Sequence, residues 1–281
     1  MHYGDLSRYA TIGAAAFLLV ATPLLAQESS PVTANAPAAA ANEPVPPAPK
    51  CVVSADLARF DLPLSRLAFR VSGGQPIKIV AIGSSSTFGA GASSPSASYP
   101  GRLEVELQRH FPGHALTVIN RGVNGEEAPD MLARFETGVI AENPQLVIWQ
   151  VGTNALLRDR PLDPRGLVLH SGLARLKAIR ADVVLMDPQY APRVLAKADR
   201  DSVVATIAQV AKEEKVGLLR RFELMRRWHE TDGLPFDVFV SPDGLHMNDW
   251  GYACLAKTLG AAIAEAVTRP TETASVPSTR R

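Results

Sequence analysis

Two cysteines in 281 residues, Cys51 and Cys254, are too few for a zinc site and show no Cys-x-x-Cys spacing. Net charge is nearly absent. The 29 basic and 28 acidic side chains leave +1, so no overall electrostatic pull toward nucleic acid or anionic lipid is expected. The common glycine-loop fingerprints are also missing. Gly83–Gly89 lacks the Lys-Ser/Thr ending of a phosphate-binding loop, and Gly89-Ala90-Gly91 lacks the third glycine of a dinucleotide fingerprint. No Gly-x-Ser-x-Gly elbow and no internal repeat occur.

Long apolar runs are scarce too. The stretch from Ala10 to Leu25, broken by Thr11, Gly13, Thr22 and Pro23, falls short of the roughly 20 apolar residues that span a bilayer. With Arg8 before it and Ala26 after it, residues 1–26 read as an export signal, the alternative being an uncleaved anchor. Residues 27–50, with Pro44, Pro46, Pro47 and Pro49, read as an extended linker, and the polar stretch 269–281 as a loose tail. The expectation is therefore one domain over 51–268 in a periplasmic or secreted protein, without integral membrane association once the signal is removed. In such a compartment Cys51 and Cys254 are candidates for a disulfide joining the domain's start to its last helix; two buried free thiols are the alternative.

What is present is a core. Hydrophobic residues make up 46% of the chain and charged ones 20%, which suits one globular domain. Short apolar runs at Ile77–Ile82, Ala115–Ile119, Leu146–Val151, Val183–Met186 and, more weakly, Val216–Leu219 read as buried strands. Helical spacing alternates with them: Leu103, Val105, Leu107 and Phe111; Met131, Leu132 and Phe135; Leu173, Leu176 and Ile179; Val203, Ile207 and Val210; and Tyr252 through Val267. This alternation predicts a parallel sheet with helices on both faces, and active residues on loops beyond the carboxyl ends of the strands. Arg220, Arg221, Arg226 and Arg227, interleaved with Glu223 and Glu230, read as a solvated helix face.

Four polar segments fall where such loops belong. Gly83-Ser84-Ser85-Ser86-Thr87-Phe88-Gly89 follows the first strand, Asn120–Gly125 the second and Gly152-Thr153-Asn154 the third; Asp243-Gly244-Leu245-His246 precedes the last helix. A hydroxyl nucleophile needs a base, and the base needs an orienting acid. Of six histidines only His246 has a carboxylate three residues earlier in a turn-like setting, so Asp243 is placed to hold its Nδ1–H and leave Nε2 for a serine. Backbone N–H groups of Ser85 and Gly125, with the Asn154 amide, are the candidate oxyanion donors. Gln189 and Tyr190, just past the fourth strand, are candidate substrate contacts; turn packing beside Pro188 and Pro192 is the alternative.

Together these blocks resemble the SGNH hydrolases, also called GDSL esterases and lipases, from about Ile77 to the final helix. The resemblance implies Ser85 as nucleophile, Gly125 and Asn154 as oxyanion donors, and Asp243 and His246 as the rest of a triad. It also implies a three-layer α/β/α, flavodoxin-like sandwich with a parallel sheet of about five strands. Ser84 departs from the family's usual Asp and Ala155 from the Asp that often follows the Asn; the first change is expected to alter loop support rather than abolish chemistry. The implied activity is hydrolysis of carboxylic esters without metal or organic cofactor. The expected substrate is a small or polysaccharide ester, with an O-acetyl or short acyl group on a carbohydrate favoured by compartment and family breadth. Two rival functions are a carbohydrate O-acyltransferase using the same triad and a non-catalytic envelope or carbohydrate-binding protein.

Overall fold

The computed structural model describes residues 48–160, 163 and 165–269. The expected export signal, the linker up to residue 47 and the tail beyond 269 lie outside the described residues.

Five short segments form the strands β1 (Ile77–Gly83), β2 (Leu116–Gly122), β3 (Leu146–Gln150), β4 (Asp182–Met186) and β5 (Gly217–Leu219). They pair in parallel in the order β2-β1-β3-β4-β5. β1, β3 and β4 are buried almost throughout, which is why their sequences run apolar without alternating: both faces of a parallel sheet are covered. β2 lies at an edge and keeps more exposed positions. It also runs further than its apolar residues suggest, because Asn120, Arg121 and Gly122 pair with Ala81, Ile82 and Gly83. These polar residues were expected in a loop. The solvent-facing edge accommodates them in the ladder.

Among the described residues, eleven α-helical segments accompany the strands: α1 (Ser65–Ser72), α2 (Ser85–Phe88), α3 (Tyr99–His110), α4 (Ala128–Ala133), α5 (Phe135–Gly138), α6 (Thr153–Leu157), α7 (Leu167–Ala178), α8 (Pro192–Leu195), α9 (Arg200–Glu213), α10 (Arg221–Glu230) and α11 (Asp249–Thr268). The step from β1 to β2 runs one way across the sheet and the later steps run the other. Right-handed crossovers therefore put α3 on one face, with α1 and α11 packed beside it, and α4, α7 and α9 on the opposite face. The result is the three-layer α/β/α sandwich. The single helix expected through Met131, Leu132 and Phe135 is two short ones, because Arg134 leaves the helical region at ψ 11°.

Packing on the α7 face depends on one small residue. Trp149 of β3 is fully buried and meets Phe135 edge-on with 4.9 Å between ring centroids. A Cβ on Gly172 of α7 would sit 2.4 Å from the indole, so only glycine allows this approach. On the other face α11 buries Tyr252, Leu255, Leu259 and Ile263 along one stripe, and Asn248 caps its start by accepting from Gly251 N–H at 3.0 Å. Cys51 and Cys254 form a disulfide across 203 residues, which ties the chain's entry into the domain to this helix.

The basic cluster departs from expectation. Arg226 pairs with Glu223 and Arg227 with Asp56, and Arg220 donates to the Asp56 carbonyl. Arg221 is fully buried rather than solvated. Its neighbours draw it inward: Nε donates to the Asp187 carbonyl and Nη2 to Gln189 Oε1, both at 2.9 Å.

Strand order reverses between β1 and β3, since the chain leaves β1 toward β2 and returns to the far side as β3. In open α/β sheets the crevice at such a reversal, beyond the carboxyl ends of the strands, is where ligands bind. Ser85 follows β1 and Asn154 follows β3.

Candidate active site

Three consecutive serines follow β1, and their surroundings single out one. Ser84 is buried, donating its N–H and Oγ to Gln150 Oε1 at 2.9 and 3.0 Å. Ser86 is buried as well. Ser85 begins α2 and is partly accessible, with Oγ 2.8 Å from His246 Nε2. The turn is tight. A Cβ on Gly83 would lie 2.1 Å from Thr87 Oγ1, and one on Gly122 2.0 Å from Phe88 N. Glycine at both positions lets β1 and β2 close against α2.

Gln150, at the end of β3, supports this loop and was not anticipated. Besides Ser84, its Oε1 is approached by Thr87 Oγ1 at 3.3 Å, and Thr87 Oγ1 lies 3.2 Å from Tyr99 OH. A neutral amide oxygen thus gathers hydroxyl and N–H donors where the resembling family carries an Asp at position 84. The signal in the sequence is a lone polar residue inside the apolar run Leu146–Val151.

The base loop is built around one carboxylate. Gly244 takes φ +68°, which turns the chain so that Asp243 and His246 meet. Asp243 Oδ2 holds His246 Nδ1, while Oδ1 accepts from Ser241 Oγ at 2.8 Å and from Leu245 N–H and His246 N–H at 2.9 Å. Burial pushes the Asp243 carboxyl up, but the His246 ring, the two N–H groups and the Ser241 hydroxyl together hold it well below the usual carboxylate range. A group depressed on folding stabilises the fold above its unfolded value and loses that contribution only as pH falls through the lowered value. Asp243 therefore stays ionised at any pH near neutral.

The oxyanion candidates lie on two further loops. Gly125 sits at φ +79°, a region glycine enters without strain; space is not the constraint, since a Cβ there would meet only Arg158 Nη2 at 3.4 Å. Asn154, the second residue of α6, donates one Nδ2 hydrogen to the Glu126 carbonyl at 2.9 Å and so pins the Gly125–Glu126 turn to the end of β3. Arg134 braces the same turn, with its guanidinium on the Glu126 carboxylate and the Arg121 carbonyl. Among the described residues, neither Ser85 N–H nor Gly125 N–H has a protein acceptor. Asn154 keeps its second amide hydrogen for a ligand.

Gln189 and Tyr190 do not line the crevice. Gln189 is 1% exposed and Tyr190 8%. The Tyr190 ring packs on Phe222 and Phe236, and its hydroxyl donates to Glu230 at 2.6 Å. Both side chains leave β4 turned into the protein, because apolar α10 residues and the Arg221 guanidinium receive them there. Burial pushes the neighbouring Asp187 carboxyl up and the Arg221 guanidinium down.

Phe88 stands three residues after Ser85, at the end of α2, and is 54% exposed. It borders a groove of about 470 Å³ lined also by Ser93, Ser94, Asn120 and Gly122. The groove floor is fixed by Asn120 Nδ2 donating to the Phe88 carbonyl at 3.3 Å.

Comparison with known proteins agrees with this architecture. A family model described as Non-GDSL lipase-like family matches residues 50–269. An acetylxylan esterase from Geobacillus stearothermophilus is 32% identical over 94 residues, which are 30% of this chain and 43% of that protein. Among solved structures, a two-domain esterase active on acetylated mannans, co-crystallised with mannopentaose, superposes with TM-score 0.62 at 20% identity, over 78% of this chain and 58% of that one. LAE5, an alpha/beta hydrolase enzyme from the metagenome of Lake Arreo, Spain, superposes with TM-score 0.56 at 21% identity, over 70% of this chain and 99% of that one. The chain thus spans less than half of the curated relative it matches and under two thirds of the mannan esterase. At identities this low the superpositions establish a shared fold alone.

Proposed function

The chain belongs to the Non-GDSL lipase-like family, and from that premise we propose that it is a serine esterase of the SGNH type, acting on short acyl groups carried by a carbohydrate. The observation that carries the chemistry is the Ser85–His246–Asp243 chain of contacts, with Ser85 Oγ 2.8 Å from His246 Nε2. Asp243 fixes the tautomer in which Nδ1 carries the proton, so Nε2 accepts the Ser85 proton as Oγ attacks the ester carbonyl. The developing oxyanion is received by Ser85 N–H, Gly125 N–H and the second Asn154 amide hydrogen. The imidazolium returns its proton to the leaving alcohol. Water then attacks the acyl-serine, giving up a proton to His246, which passes it to Ser85 Oγ as the acyl–oxygen bond breaks and the acid leaves.

Carbohydrate as the carrier is supported by the relatives named above and by the groove that Phe88, three residues after Ser85, borders. Its exposed Phe88 ring offers an apolar face among hydroxyl and amide groups, the mixture that binds a sugar's ring and rim together. Replacing Phe88 with alanine is expected to raise KM for an acetylated xylo- or manno-oligosaccharide about fivefold, near 1 kcal/mol of binding, and to leave p-nitrophenyl acetate kinetics unchanged. Equal loss on both substrates would make Phe88 a packing residue only. Export is supported by the Cys51–Cys254 disulfide, which persists in oxidising compartments.

The test is a panel of p-nitrophenyl acetate, butyrate and a longer-chain ester beside acetylated oligosaccharides, with acetate release and product mass both followed. Release to water, fastest for acetyl, is the expected result. Transfer of the acetyl group to an added sugar in preference to water would move the reading to an acyltransferase.

A further inference from the structure

Gln189 is a buried polar side chain outside the proposed triad that bonds to three different residues. Its Oε1 accepts from Thr153 Oγ1 and Arg221 Nη2, each at 2.9 Å, and its Nε2 donates to the Leu245 carbonyl at 3.2 Å. The orientation of the amide is forced. A guanidinium only donates, so the oxygen faces Arg221 and the nitrogen faces Leu245. Arg221 is itself fixed, its Nε on the Asp187 carbonyl while Asp187 Oδ1 accepts from Phe222 N–H at 2.9 Å.

The Leu245 carbonyl belongs to the peptide that carries the His246 N–H. That N–H donates to Asp243 Oδ1 at 2.9 Å. One peptide plane is therefore held from both sides, by Asp243 at the surface and by Gln189 from the core. The Asp243 side chain is 43% exposed, whereas Gln189 is 1% exposed, so the core end is Gln189. The neighbouring anchors are Arg193 N–H on the Gly244 carbonyl and Ser241 on the His246 carbonyl, and neither grips the 245–246 peptide. Through Thr153, the residue before Asn154, the same amide also touches the oxyanion side of the crevice.

We infer that Gln189 is a positioning residue for the proposed acyl transfer: by fixing the 245–246 peptide it aims the His246 imidazole at Ser85 without touching substrate. The inference rests on the esterase reading. Displacement of a catalytic group by about 1 Å is enough to cost on the order of 10²-fold in rate, because the reacting atoms leave their near-attack geometry.

Gln189→Glu isolates the clamp. The carboxylate still accepts from Thr153 and Arg221, but its second oxygen faces the Leu245 carbonyl and repels it. With p-nitrophenyl acetate, kcat is expected to fall about 30-fold with KM within about twofold. The thermal midpoint is expected to stay within a few degrees. Gln189→Met, which removes the donor at similar volume, is expected to show the same kcat loss with lower stability. A readout independent of turnover is the downfield proton resonance of His246 Nδ1–H, identified as the one missing in His246→Ala; it should shift or broaden in both Gln189 variants. A kcat within threefold of wild type with an unmoved resonance would overturn the inference, as would a rise in KM at constant kcat. If the wild type hydrolyses no ester, the esterase reading fails on its own and the resonance alone decides whether Gln189 aims the imidazole.

Discussion

Ser85→Ala is expected to lower kcat for p-nitrophenyl acetate by about 10⁶-fold while leaving the fold intact. The size follows from the absence of a substitute. Ser84 and Ser86 flank Ser85, but both are buried, and Ser84 is committed to Gln150. Neither hydroxyl reaches the crevice without unwinding the start of α2. Stability should change little, because among the described residues the Ser85 hydroxyl bonds only to the His246 ring, and Ser85 is partly accessible. Circular dichroism and a thermal melt of the variant check the second half of the expectation, and initial rates check the first. Retention of more than about a tenth of wild-type turnover would remove Ser85 from the mechanism.

Asp243→Asn should be nearly as damaging, by about 10⁴-fold in kcat, despite changing a single atom. Oδ1 of Asp243 receives Ser241 Oγ and two backbone N–H groups, so in the variant that position must remain the amide oxygen. The amide nitrogen is then turned toward His246 Nδ1. Facing a donor, Nδ1 becomes the acceptor and the ring proton moves to Nε2, where it points at Ser85 and cannot take the serine's proton. Loss of kcat with KM held would be the kinetic mark of this wrong tautomer. The loss should not be recovered by raising the pH, since the amide does not ionise. A variant within tenfold of wild type would mean that Asp243 shapes the turn and does not orient the base.

The first three strands and the polar segments after them were legible because their apolar runs end abruptly at Gly83, Asn120 and Gly152, the composition change that a buried parallel strand makes on reaching solvent. Asp243 and His246 were legible as a pair because three residues in a turn bring them together locally. Gln150 was marked only as a polar break in an apolar run, and nothing local marked the roles of Gln189 or Arg221. Their partners lie 32 to 66 residues away, and a polar residue's burial is set by those distant donors and acceptors rather than by periodicity. Arg221 was misread for that reason: within a run of arginines and glutamates it looks like any other solvated charge. Gln189 and Tyr190 were placed correctly at the end of β4 but on the wrong side of the chain, because position past a strand does not tell which way a side chain turns. The disulfide was open to sequence only as a count of two; the 5.5 Å between the Cα atoms of Cys51 and Cys254 comes from α11 lying beside the domain's first residues.

Reaction of the wild-type protein with a fluorophosphonate, followed by peptide mapping by mass spectrometry, examines nucleophile, base and oxyanion donors at once, since only an activated serine is phosphonylated. The expected result is one adduct, on Ser85, forming in step with loss of esterase activity and absent from His246→Ala. An adduct on another serine, or hydrolysis that continues undiminished while Ser85 is fully labelled, would contradict the proposed mechanism.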